Sequence, residues 1–98
     1  MIRLHVIPSQ GSPFDFPLDG NLAVIGRNPD ADLTLSDAGL SRVHTKVYKQ
    51  DDVWLAEDLG SANGTLVNGE RIDSPTPLDH GDEIRLSDCR ILFQQEEH

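Results

Sequence analysis

An all-β domain, built as an antiparallel sandwich or barrel, is predicted by three features of the sequence. Short runs in which apolar and polar residues alternate occupy most of the chain. Turn-forming residues separate those runs at close intervals. No window carries an amphipathic helix of useful length. Many short strands with frequent turns are the signature of a sandwich or barrel.

The elements follow in order. Ile2, Leu4 and Val6 alternate with Arg3 and His5, so one face of the first strand is apolar. Phe14, Phe16 and Leu18 alternate with Asp15 and Pro17. Proline cannot donate to a ladder, which assigns that strand to a sheet edge. Leu22 to Ile25 is a short apolar run, and Leu33 to Leu35 is extended. Val43, Thr45 and Val47 alternate with His44, Lys46 and Tyr48. Val53 to Glu57, Thr65 to Val67, Glu83 to Leu86 and Arg90 to Phe93 complete the set. Turns are expected at Asp19-Gly20, Asn28-Pro29-Asp30, Gln50-Asp51-Asp52, Asn68-Gly69 and His80-Gly81-Asp82. Asn68-Gly69 is the strongest hairpin signal, because both central residues must tolerate positive φ. Ser74-Pro75-Thr76-Pro77 reads as a stiff loop, and Trp54 as core or loop support. Internal repeats and low-complexity segments are absent from the sequence.

A chain of 98 residues fits one domain, residues 1–98. Folding at this size buries roughly 60–68% of the unfolded surface, enough without staples. Eight basic residues against seventeen acidic ones give a net charge of −9. That field opposes general binding to nucleic acid or an anionic membrane, so any anion site must be a local basic spot. The single cysteine, Cys89, cannot form an internal disulfide, which fits a reducing, cytoplasmic-type compartment. The first seven residues, Met-Ile-Arg-Leu-His-Val-Ile, carry no long apolar run and read as neither signal peptide nor membrane span.

Three polar motifs lie between the strand runs: Gly26-Arg27, then Ser41-Arg42-Val43-His44, then Gly60-Ser61-Ala62-Asn63-Gly64-Thr65. Arginine offers a planar fork of donors that matches phosphate. A serine hydroxyl donates to a phosphate oxygen, and an asparagine amide both donates and accepts, as a peptide backbone does. Gly26 lets the backbone bend, and Gly64 supplies a positive φ. Taken singly, each motif also fits an ordinary surface arginine, a turn serine or an Asn-Gly turn. Two strands separate Ser41 from Asn63, so the chain goes out and returns, and both loops share one end. Arg27 does not follow from that parity. The Leu33 to Leu35 run between it and Ser41 spans only about 10 Å, within reach of a long arginine.

The order and spacing of these motifs resemble the forkhead-associated (FHA) domain, a binding module for phosphothreonine peptides. The resemblance covers nearly the whole chain. It implies a sandwich of two antiparallel sheets with the binding loops clustered at one end. It also implies that Arg27, Ser41 and Arg42 hold the phosphate and that Asn63 orients the peptide backbone. Gly26, His44 and Gly64 then shape the loops, His44 by hydrogen bonds that tie them together. Ala62 lines the same stretch, but many family members carry threonine there, whose hydroxyl helps line the pocket. Weaker or shifted binding follows. The implied partner is a phosphothreonine-containing protein, with a serine/threonine kinase upstream and no cofactor. The chain is then a monomer or one part of a larger protein. A phosphate-independent scaffold or dimerisation domain is the alternative.

Catalytic readings are weaker. Ser41, His44 and Asp58 are the parts of a hydrolase triad, but no G-x-S-x-G elbow surrounds Ser41. The glycines around Asn63 lack the lysine of a P-loop. His5, His44, His80 and His98 are too dispersed for metal-ligand spacing. Cys89 reads as a structural thiol. The chain is therefore expected to be a non-enzyme.

Overall fold

The computed structural model describes residues 1–96; His98 lies outside them. Eleven strands run in chain order. They are β1 (Ile2–Ile7), β2 (Phe14–Leu18), β3 (Leu22–Gly26), β4 (Leu33–Thr34), β5 (Thr45–Gln50), β6 (Val53–Asp58), β7 (Thr65–Val67), β8 (Glu70–Arg71), β9 (Thr76–Pro77), β10 (Glu83–Leu86) and β11 (Cys89–Gln95). One sheet has the order β2-β1-β11-β10-β7-β8 and the other β4-β3-β5-β6-β9. The predicted sandwich is present, and β2 with Pro17 sits at an edge, as a missing donor requires.

The period-two patterns aim one face of each sheet at a shared core. Ile2, Leu4 and Val6 are buried, and Leu4 and Val6 lie opposite the buried Phe93 and Ile91 of β11. In the second sheet Ala23, Val47 and Ala56 line up across β3, β5 and β6. The Trp54 ring of β6 crosses to Phe93 of the first sheet, centroids 6.1 Å apart and tilted by 52°. This aromatic pair ties the two layers together. Trp54 is thus core, as its sequence context suggested.

Three details depart from the sequence reading. First, the second sheet is mixed, because β4 runs parallel to β3 with Ile25 opposite Leu33. Second, β8 is the second arm of the hairpin expected at Asn68-Gly69, with Val67 opposite Glu70, whereas the sequence gives no sign of β9, which falls inside the stretch read as a stiff loop. Two-residue strands leave too few side chains for a period to show. Third, Val43 is exposed while His44 and Thr45 are both fully buried. The β5 ladder begins only at Thr45, so the alternation cannot extend back to Val43.

The parallel β4 also resolves the position of Arg27. β3 ends, the chain turns back through residues 27–32, and β4 then travels in the direction of β3. β5 is antiparallel to β3 and starts beside its end, with Thr45 opposite Ile25. Arg27, Ser41 and Asn63 therefore share one end of the sandwich. A meander made only of antiparallel strands would have put Arg27 elsewhere.

Candidate functional site

The loop end is assembled by hydrogen bonds between segments far apart in sequence. The Arg27 N–H donates to the Ser41 carbonyl at 3.1 Å, and the Asn28 N–H to the Arg42 carbonyl at 3.1 Å. This close approach is the reason for Gly26. A Cβ there would stand 2.0 Å from the Arg42 carbonyl oxygen. Gly26 has no positive φ, so its part is to admit neighbouring backbone and not, as expected, to bend sharply.

His44 is fully buried. Its Nδ1 accepts from the Ser41 N–H at 3.2 Å, and its Nε2 donates to the Gly64 carbonyl at 2.8 Å. These two bonds assign the Nε2–H tautomer and join the second loop to the third. Both ring nitrogens are engaged with backbone, so His44 does not serve the Ser41 hydroxyl as a base. The triad geometry is not formed.

Ser41 Oγ accepts from the Ala62 N–H at 3.0 Å. The hydroxyl proton is left to point elsewhere. Ala62 contributes through its backbone, which a threonine at this position would supply equally. Asn63 Nδ2 donates to the Gly39 carbonyl at 2.7 Å, which fixes the amide and pins the 36–40 segment. Gly39 is in turn pressed against Ser87, where a Cβ would stand 2.1 Å from the hydroxyl oxygen. Gly64 adopts φ +82°, a conformation that glycine reaches without strain.

The sequence offers Asp58 only as a triad member, yet in the fold it organises the third loop. Its carboxylate accepts from the Gly60 and Ser61 N–H groups at 3.1 Å each, from the Ser61 hydroxyl, and from the Thr65 hydroxyl at 2.7 Å. Ser61 Oγ also receives the Gly64 N–H at 2.9 Å, and Thr45 and Thr65 join their buried hydroxyls. Burial pushes the Asp58 carboxyl up. The Ser61 and Thr65 hydroxyls and the Ser61 N–H outweigh it and hold the pKa below the ordinary carboxylate value. The Asp58-x-x-Ser61 spacing of a side-chain-capped turn was the available signal.

Arg27 and Arg42, with Asn28 and Pro29, line a cleft of about 350 Å³. Arg27 Nε donates to the Leu40 carbonyl at 3.1 Å, which orients the guanidinium. Five of the eight basic residues pair with carboxylates: Arg3, Lys46, Lys49, Arg85 and Arg90. Among the described residues Arg27, Arg42 and Arg71 pair with none. Arg71 was not foreseen. Among the same residues no three His, Cys, Asp or Glu side chains gather as a metal site, and no helix is long and apolar enough to cross a membrane.

The architecture defines a class: a small β-sandwich whose loops are locked together at one end to present a polar site. The sequence profile of the FHA domain matches residues 23–87. The chain belongs to the FHA domain family. It is 38% identical over 86 residues to the glycogen accumulation regulator GarA of Mycobacterium tuberculosis, covering 88% of this chain and 51% of GarA. The FHA domain structure of a Chlamydia trachomatis protein superposes with a TM-score of 0.88 at 31% identity, covering 98% of each chain. Mycobacterium tuberculosis EmbR, solved in complex with a low-affinity phosphopeptide, superposes with a TM-score of 0.83 at 34% identity, covering 99% of this chain and 25% of EmbR. The chain spans about half the length of the curated relatives it matches.

Proposed function

We propose that residues 1–98 form a single phosphothreonine-dependent recognition module that binds a phosphorylated partner protein without catalysis. The observation that carries this reading is the pair of guanidinia Arg27 and Arg42, which pair with no carboxylate among the described residues and flank one cleft on a chain of net charge −9. Charge-assisted hydrogen bonds from two arginines suit a dianionic phosphate. Ser41 adds a donor whose oxygen is already anchored by Ala62. Asn63, held by Gly39, offers its amide oxygen to a peptide N–H. Gly26, His44 and Gly64 keep the three loops in register. EmbR, a relative of the same fold, binds a phosphopeptide. A serine/threonine kinase supplies the ligand, and a cytoplasmic setting follows for such a module.

Isothermal titration against phosphothreonine, phosphoserine and unphosphorylated peptide pools tests this. Binding is expected to the phosphothreonine pool, with Arg27→Ala lowering affinity by about 100-fold or more. Equal binding to all three pools overturns the reading in favour of a phosphate-independent scaffold.

A further inference from the structure

Arg71 is the third basic residue without a carboxylate partner among the described residues. It lies on β8, exposed, between Glu70 and Ile72 with Asp73 close in sequence. Its guanidinium pairs with neither carboxylate. It packs on Gly64 instead, where a Cβ would stand 2.8 Å from Arg71 Nε and 3.0 Å from Cζ. The missing side chain of Gly64 thus makes room for a charged group at the binding loop. The two ends of the Ala62-Asn63-Gly64 segment are marked differently. Ser41, next to Arg42, bonds the Ala62 N–H, and Arg71 covers Gly64. Two Cα–Cα steps span at most about 7.6 Å. An extended peptide advances about 3.3 Å per residue.

We propose that Arg71 is a specificity-determining residue that selects an anionic side chain close to the phosphothreonine in the bound peptide. The proposal rests on the phosphopeptide reading above and deepens it. A peptide anchored at Asn63 carries its neighbouring side chains past Gly64, and a carboxylate or a second phosphate there meets the forked donors of Arg71. Leaving a cation unpaired in an acidic protein favours an anionic ligand over a neutral one. The position is within about three residues of the phosphothreonine by the strand rise.

Fluorescence anisotropy on the full chain tests this with a phosphothreonine peptide of neutral flanks. Asp, then phosphoserine, is placed at each of the three positions on either side. The parent is expected to gain about 3- to 10-fold in affinity at one position. Arg71→Ala removes that gain and leaves the neutral-flank peptide within about 2-fold of the parent, whereas Arg71→Lys keeps part of the gain. A gain from Asp identifies a carboxylate as the ligand, and a gain from phosphoserine alone identifies a second phosphate. No gain at any position, or a gain that survives Arg71→Ala, overturns the proposal while the phosphopeptide reading stands. Loss of affinity for all peptides equally in a folded Arg71→Ala also overturns it. Absence of phosphate-dependent binding by the parent overturns both.

Discussion

The loop end and the Asp51-Asp52 hairpin solve the same problem, reversing the chain between strands, in opposite ways. The hairpin is local. Gln50 pairs with Val53, and Asp51 and Asp52 take φ of 52° and 65° between them, the left-handed pair of a type I′ turn. The loop end depends on distant residues. Its bonds join Arg27 to Ser41, Ser41 to Ala62, His44 to Gly64 and Asn63 to Gly39. A turn that is settled by its own residues can be changed without disturbing its neighbours. A loop that is settled by other loops cannot, and this mutual fixing is what holds separate donors at fixed spacing for a ligand.

The sharpest way to break this contrast is Gly26→Ala. A methyl group 2.0 Å from the Arg42 carbonyl oxygen forces the first two loops apart. A loss of about 3 kcal/mol or more is expected in denaturant titration, with phosphopeptide affinity lost as well. His44→Ala comes next. It leaves the Ser41 N–H and the Gly64 carbonyl without partners in a buried setting, at about 2–3 kcal/mol. Affinity then falls even though the substituted ring points away from solvent. Retained affinity in either variant would show that the loops hold their positions independently.

The same contrast explains what the sequence could tell. The strands over Ile2–Ile7, Thr45–Gln50 and Val53–Asp58 are legible because each carries its own two-residue period. The Asp51-Asp52 and Asn68-Gly69 turns are legible because their φ requirement is local. His44 was recognisable as a loop tie only through the family resemblance; its alternation with Val43 and Thr45 placed it on the wrong face. The roles of Asp58 and Arg71 are not legible in sequence because their partners, Ser61 and Thr65 for one and Gly64 for the other, are chosen by the folded arrangement of β6, β7 and β8.

Asp58→Asn sharpens the comparison through pH. The folded pKa of Asp58 lies below its ordinary value of 3.8. Its ionised form therefore contributes stability that is present above that value and lost as pH falls through the lower folded one. The parent is expected to exceed Asp58→Asn in stability at neutral pH. The gap should narrow as pH drops below about 3.8, followed by circular dichroism melts across the acid range. A constant gap would assign the effect to packing and not to charge.

The smallest effect belongs to the hairpin. Asp52→Gly relieves a left-handed conformation that glycine adopts freely. It should raise stability by about 0.5 kcal/mol with phosphopeptide affinity unchanged. The Lys49–Asp52 ion pair that it removes is solvent-exposed on the aspartate side and contributes little. A change in affinity here would mean that the two ends communicate through β5 and β6.

The gathering of Arg27, Arg42 and Arg71 at one end of an otherwise acidic chain has a kinetic consequence. At long range this chain, at −9, repels a phosphorylated peptide; within contact distance Arg27 and Arg42 attract its phosphate, and Arg71 a neighbouring anion. Added salt shortens the reach of both forces, with a Debye length of about 8 Å at physiological ionic strength. Encounter then quickens while the bound complex loosens, so association and dissociation rates rise together. Most oppositely charged partners do the reverse on association. A partner tethered close to this domain offsets the repulsion by its high effective concentration, so proximity helps to select among phosphorylated ligands of equal sequence.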